Sequence, residues 1–83
     1  MTKQEFMLEA DKLKKKLRMS LCFGYESFGE FCIGYFFDEK ESKWKVFVHM
    51  ERTRHDIKLV TENEEEVYDK VLALMRYEIG RGE

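Results

Sequence analysis

The feature that most constrains the fold is the stretch from Leu21 to Val60, in which apolar side chains recur at every second position. A period of two is typical of β-strands that bury one face. Polar segments at residues 26–30, 38–43 and 51–54 interrupt the alternation and mark turns. The stretch therefore predicts four short strands that follow one another as an antiparallel meander.

The register of this meander follows from parity. The three predicted hairpins pair Tyr25 with Phe31, Phe37 with Trp44, and Met50 with His55. These pairings place Phe23 opposite Ile33 and Val48 opposite Ile57, on one common apolar face that also holds Trp44. A slip by one residue would turn a whole apolar set outward. By the same parity His49 and His55 point to opposite faces, which argues against a metal shared between them.

Two helices are predicted to flank the strands. Residues 2–5 have the form of a capping box, and apolar side chains then recur at helical spacing, which predicts a helix over residues 3–18. Asn63 precedes three glutamates, a typical helix start, and Gly80 is a typical stop. The second helix is therefore predicted over residues 64–79.

Together these elements predict a single α+β domain over residues 1–83. Its order is α-β-β-β-β-α, a four-stranded antiparallel meander flanked by N- and C-terminal helices that share one sheet face. The composition, 43% apolar and 39% charged, is typical of a folded domain. No export signal or membrane-spanning run is recognisable, so we expect a cytoplasmic protein in which Cys22 and Cys32 are free thiols.

The other face of the predicted sheet is expected to face solvent, yet it is rich in apolar residues and glycines. Its members are Cys22, Gly24, Cys32, Gly34, Phe36, Lys45, Phe47, His49, Asp56, Lys58 and Val60. We interpret it as a docking surface for another protein, with Phe36 and Phe47 as anchors and with Cys32, Lys45 and His49 beside them. The alternatives are a cover formed by helix 1 or a tail, and a homodimer through this face.

Charge is distributed unevenly along the chain. Residues 1–20 carry six basic and three acidic side chains, net +3, whereas residues 61–83 carry three and seven, net −4. The acidic cluster of the second helix consists of Glu62, Glu64, Glu65, Glu66 and Asp69. One interpretation is a solvated helix start that the helix dipole favours. The other is steering towards a basic partner, such as the nucleic-acid-binding face of a nuclease.

Signals for chemistry are weak. The histidines and cysteines do not have the spacing of zinc sites, and a Cys32–His49 pair lacks an orienting group and an oxyanion donor. We therefore expect no enzyme activity, no metal and no cofactor. A nucleic-acid partner is not expected either, because double-stranded-RNA-binding domains are basic where the last helix begins and this chain is acidic there.

Four short motifs resemble the small immunity proteins of bacterial polymorphic toxin systems, in particular the fifty-ninth immunity family. They are Phe31-Cys32-Ile33-Gly34-Tyr35, Trp44-Lys45-Val46-Phe47, Glu51-Arg52 and Glu64-Glu65-Glu66-Val67-Tyr68. Thr53 follows the Glu-Arg pair where family members have Gly. The resemblance spans roughly residues 20–75 and implies an inhibitor that neutralises a cognate toxin by direct binding. The alternative is a phage-type anti-CRISPR protein or another acidic nuclease inhibitor.

Overall fold

The computed structural model describes residues 1–51 and 54–81. In chain order the elements are α1 (Lys3–Lys14), β1 (Ser20–Phe23), β2 (Cys32–Asp38), β3 (Lys43–His49), β4 (His55–Thr61) and α2 (Glu64–Arg81). The strands form one open sheet in the order β1-β2-β3-β4. This confirms the predicted α+β class and the order α-β-β-β-β-α. Arg52 of the Glu-Arg motif and the following Thr53 lie outside the described residues.

The sheet is mixed, because β1 runs parallel to β2. Phe23, predicted opposite Ile33, lies opposite Tyr35, and the predicted hairpin between the first two strands is wrong. Side chains alternate between faces in the same way in parallel and antiparallel pairs, so parity could not distinguish the two directions. Parallel neighbours require a connection that returns along the sheet. Here that connection is the segment 24–31, which we call the crossover loop.

The hairpin between β2 and β3 has the predicted register. The pairs are Phe37 with Trp44, Tyr35 with Val46, and Ile33 with Val48. In the turn, Asp38 Oδ1 accepts hydrogen bonds from the backbone N–H groups of Lys40 (2.9 Å) and Glu41 (3.3 Å). Ser42 closes the turn with a positive φ of 54°. A short turn between two strongly alternating strands thus fixes this part of the sheet.

A β-bulge interrupts the pairing of β3 with β4. Leu59 lies opposite Val46 as the parity predicts, but the next residue of β3, Phe47, lies opposite Ile57. Lys58 is therefore an additional residue on β4. An additional residue reverses the facing of every side chain beyond it. Ile57, which parity assigns to the apolar face, consequently lies on the opposite face.

The bulge also changes the placement of the two histidines. His55 pairs with His49, not with Met50 as predicted, and both imidazoles lie on the same face of the sheet. The expectation that they point to opposite faces is wrong, because simple alternation does not account for an additional residue in one strand.

Both helices lie on one face of the sheet, as predicted. This side holds the main core, formed by Phe6, Ala10, Ile33, Tyr35, Val46, Val48, Val67, Tyr68, Val71, Leu72 and Met75. α2 packs directly on the strands, whereas α1 packs against α2. The Phe6 ring joins the layers, with its centroid 4.6 Å from that of Tyr68 and 5.1 Å from that of Phe23. Trp44 packs against this core and is half-buried.

Both helices begin at the predicted residues, but neither ends where the sequence predicts. Thr2 and Glu5 form the predicted capping box, with N···O distances of 3.0 and 3.1 Å. α1 ends at Lys14, four residues before the predicted end, and α2 continues through Gly80 to Arg81. Within residues 1–51 and 54–81, no helix has the length and apolar character needed to cross a membrane.

Candidate docking surface

The face of the sheet opposite the helices, called the outer face here, is buried at its centre. The exposed fractions of Cys22, Cys32, Phe47 and His49 are 7, 1, 0 and 2%. The prediction that Cys32, Phe47 and His49 lie open to solvent is therefore wrong. The cover is the crossover loop, since a parallel β1–β2 pair forces the chain to return across one face. Neither helix 1 nor a tail provides it among the described residues.

The crossover loop is attached to the outer face through polar and aromatic contacts. The Cys32 thiol donates to the carbonyl oxygen of Gly29, with an Sγ···O distance of 3.2 Å. The centroid of the Phe28 ring lies 4.4 Å from that of His55 and 5.8 Å from that of His49. Phe28 thus lies across both imidazoles, with 65% of its surface exposed.

Three polar side chains form a line that connects the loop to the sheet. Glu26 Oε2 lies 2.9 Å from His55 Nε2, and His55 Nδ1 lies 2.9 Å from His49 Nδ1. The far nitrogen of His49, Nε2, is buried and has no hydrogen-bond partner among the described residues. A carboxylate accepts a hydrogen bond from His55 Nε2–H, so in the neutral pair His49 Nδ1–H donates to His55 Nδ1.

Gly34 is explained by contact within the chain. Its strand position is opposite Phe47, and the Phe47 ring lies directly over it. A Cβ at Gly34 would lie 2.7 Å from Phe47 Cζ and would also collide with the backbone oxygen of Cys22. The glycine therefore marks the close approach of the chain's own aromatic ring. Phe36 lies beside Phe47, with ring centroids 5.9 Å apart, and is half-buried.

Lys45 is engaged within its own hairpin. Its Nζ lies 2.9 Å from Asp38 Oδ2 and 2.9 Å from Glu41 Oε2. The hydrogen bond from Lys45 lowers the pKa of Asp38, and the hydrogen bond to Asp38 raises the pKa of Lys45. The two carboxylates compensate the lysine charge, so it contributes little to attraction of a partner.

The outer face nevertheless exposes apolar surface around its buried centre. The exposed fractions of Phe28, Ile57 and Val60 are 65, 42 and 47%. Together with half-buried Phe36, we call these residues the outer patch. The sequence does not predict Phe28 as part of this face, because it stands in a polar segment that is typical of a turn. Ile57 was not predicted on this face because of the bulge. The one signal in the sequence is that Phe28 is an aromatic residue in a segment that otherwise consists of Gly, Ser and Glu.

The acidic cluster is exposed but lies apart from the outer patch. Glu62, Glu64, Glu65, Glu66 and Asp69 are all exposed where α2 begins, and α2 packs on the opposite face of the sheet. Asn63 Oδ1 accepts from the backbone N–H of Glu65 at 2.9 Å, which confirms the predicted cap. Glu66 Oε1 accepts from the Thr61 hydroxyl at 2.5 Å. The structure thus presents two separate candidate epitopes.

The thiols and histidines do not form a recognisable catalytic site. Burial raises the pKa of the Cys32 thiol, which disfavours the nucleophilic thiolate. Among residues 1–51 and 54–81, no group of three or more His, Cys, Asp and Glu side chains has a geometry that could hold a metal ion.

Comparison with known proteins gives no match, whether with family models, with curated proteins or with solved structures.

Proposed function

We propose that this chain is a protein-binding inhibitor that neutralises a cognate bacterial toxin by direct contact, as immunity proteins do. The observation that carries the proposal is the outer patch, in which Phe28, Ile57 and Val60 are 42–65% exposed on a sheet face. The solvated face of a sheet is normally polar. A cluster of exposed apolar side chains on one face is typical of an interaction surface. The four sequence motifs that resemble immunity proteins add support.

Phe28 is suited to be the main anchor. Its ring rests on His55 at 4.4 Å and on His49 at 5.8 Å, so the side chain is held in place although 65% of its surface is exposed. A held aromatic ring buries much area on binding and loses little side-chain entropy. Glu26, whose carboxylate lies 2.9 Å from His55, adds a polar group beside the patch, as polar side chains do at the rim of protein interfaces.

The partner that fits best is a protein with a basic surface, such as the nucleic-acid-binding face of a nuclease toxin. The exposed carboxylates at the start of α2 attract such a surface over a distance. Attraction of this kind mainly raises the association rate, whereas apolar anchors mainly set the dissociation rate. In this proposal the acidic cluster speeds association, and the outer patch slows dissociation.

A protection assay tests this function. The chain is co-expressed in bacteria with the candidate toxin encoded beside it, and growth is compared with cells that produce the toxin alone. We expect the parent chain and the Tyr77→Ala variant to protect, because Tyr77 is 63% exposed on α2, away from the outer patch. Phe28→Ala should protect poorly although it accumulates to the same level. Equal protection by both variants would contradict the assignment to the outer patch.

The exposed acidic cluster favours a second candidate, an acidic inhibitor that occupies the nucleic-acid site of a nuclease, as phage-type anti-CRISPR proteins do. Here the carboxylates would themselves be the epitope. Replacement of Glu64 and Glu65 by Lys distinguishes the two candidates. Under the toxin-inhibitor proposal it slows association, and the effect fades with added salt. Under the second candidate it abolishes inhibition at every salt concentration while Phe28→Ala remains active.

A further inference from the structure

The crossover loop is held on the outer face by a short chain of hydrogen bonds that allows only a limited number of protons. Glu26 belongs to the loop, whereas His55 and His49 belong to β4 and β3. Two 2.9 Å contacts, Glu26 Oε2 to His55 Nε2 and His55 Nδ1 to His49 Nδ1, connect the loop to the sheet. The contact between two Nδ1 atoms requires that one of them carry a proton and the other accept it.

The hydrogen bond between the two Nδ1 atoms is possible only in some protonation states of His49 and His55. The neutral pair satisfies it, and so does a pair with one positive charge, because one Nδ1 still accepts. When both imidazoles are protonated, both Nδ1 atoms carry hydrogen and neither can accept. The two rings would then direct N–H towards N–H, and their two positive charges would repel each other at this short distance. The closed arrangement therefore binds at most one added proton, whereas separated histidines bind two.

The surroundings leave the second charge without compensation. Glu26 is the acidic side chain that contacts the pair from the crossover loop. From β1 and β2 the titratable groups of this face are the thiols of Cys22 and Cys32, and burial raises the pKa of Cys32, so that it stays neutral in acid. On the far side His49 Nε2 has no partner among the described residues, so a proton there would be buried without a hydrogen bond.

We propose that the Glu26–His55–His49 chain is a proton-sensitive catch, which releases the crossover loop from the outer face when both histidines are protonated. The strands remain in place because backbone ladders hold them. The part that moves is the middle of the loop. Its ends are fixed by backbone hydrogen bonds from the N–H of Gly24 to Tyr35 and from the N–H of Phe31 to Met50, whereas Glu26, Phe28 and Gly29 contact the face at the histidines and at Cys32. Release carries Phe28 away from its support on the imidazoles and uncovers the Cys32 thiol.

The catch regulates the proposed docking surface, and in this respect it rests on the proposed function. Phe28 is an anchor only while it lies on the two rings. A toxin bound through Phe28 would therefore be released in acid. The opening itself needs no partner and can be measured on the isolated chain, so that a failure of the catch is distinguishable from a failure of the proposed function.

The test is the reactivity of the Cys32 thiol towards 2,2′-dithiodipyridine between pH 5 and 8 (about the range over which free histidine titrates). Peptide mass spectrometry reads the modification at Cys32. Dividing each rate by that of the denatured chain at the same pH removes the intrinsic dependence of thiol chemistry on pH. Because opening takes up one more proton, the normalised rate should rise as the pH falls, by up to about tenfold per pH unit. A flat normalised rate would overturn the proposal.

Two variants make the test specific. His49→Phe keeps an aromatic ring beside Phe28, whose centroid lies 5.8 Å from that of His49, but removes the buried imidazole. The remaining His55 can bind its one proton beside Glu26 in the closed arrangement, so the normalised rate should not change with pH. Glu26→Gln can still accept from Nε2–H but removes the compensating charge, so opening should begin at higher pH. A pH profile identical to the parent's in both variants would also overturn the proposal. Trp44 fluorescence and far-ultraviolet circular dichroism verify that each variant is folded.

Discussion

At the residue scale, Gly34 is the position where the outer face tolerates least change. A methyl group there would lie 2.7 Å from the Phe47 ring and would collide with the backbone of Cys22. We expect Gly34→Ala to lower the free energy of unfolding by about 1–3 kcal/mol, because neither strand can move away from its neighbour. Urea denaturation measures the change. Gly29→Ala is the matched control, since its Cβ would meet only Ser27 Oγ, at 3.4 Å, and a stability unchanged within about 0.5 kcal/mol is expected there.

Tyr68 provides a second test at this scale. The ring is buried against Phe6, and the hydroxyl has no hydrogen-bond partner among the described residues. Burial, followed by the nearby Glu64 carboxylate, raises the pKa of Tyr68. A buried hydroxyl without a partner stabilises nothing. Tyr68→Phe should therefore leave the free energy of unfolding unchanged or raise it by up to about 1 kcal/mol. A clear loss of stability would show that the hydroxyl has a partner, and the exposed Tyr77→Phe change serves as reference.

At the element scale, the start of α2 is fixed by one side chain. Asn63 Oδ1 accepts from the Glu65 backbone N–H at 2.9 Å. Loss of an Asn cap typically costs about 1 kcal/mol, so Asn63→Ala should lower the thermal midpoint by several degrees (about 4–8 °C per kcal/mol for a domain of this size). Glu62→Ala, one residue earlier and exposed, should have little effect. Equal effects of the two changes would contradict the capping role.

The elements also show which parts of the fold the sequence could predict. The β2–β3 register was predictable, because two alternating strands joined by a short polar turn have one pairing that buries both apolar sets. The direction of β1 was not, since alternation is the same in parallel and antiparallel strands. The bulge at Lys58 was not predictable either, because Ile57 and Leu59 have the spacing of two apolar residues on one face of a regular strand. That additional residue brings His55 and Ile57 to the outer face.

At the scale of the whole molecule, the errors in the predicted sheet explain the errors in the predicted site. The sequence predicts that the outer face is unusually apolar, and the structure places Phe47, Cys32 and His49 on that face. These residues were predicted to be exposed, because an antiparallel meander leaves that face open. A parallel first pair requires a crossover, and the crossover loop covers the same residues. An exposed aromatic side chain of this face, Phe28, consequently belongs to the loop, a segment in which strand alternation predicts nothing.

Binding kinetics with the purified candidate toxin test the central proposal, that the outer face is the docking surface. The parent, Phe28→Ala and Tyr77→Ala are compared under identical conditions; the two aromatic side chains are similarly exposed, at 65 and 63%. Loss of an anchor worth about 2 kcal/mol corresponds to a roughly thirtyfold weaker Kd. We predict this loss for Phe28→Ala, mainly through faster dissociation, and a Kd within about twofold of the parent for Tyr77→Ala. Phe28→Ala that binds as tightly as the parent would contradict the account.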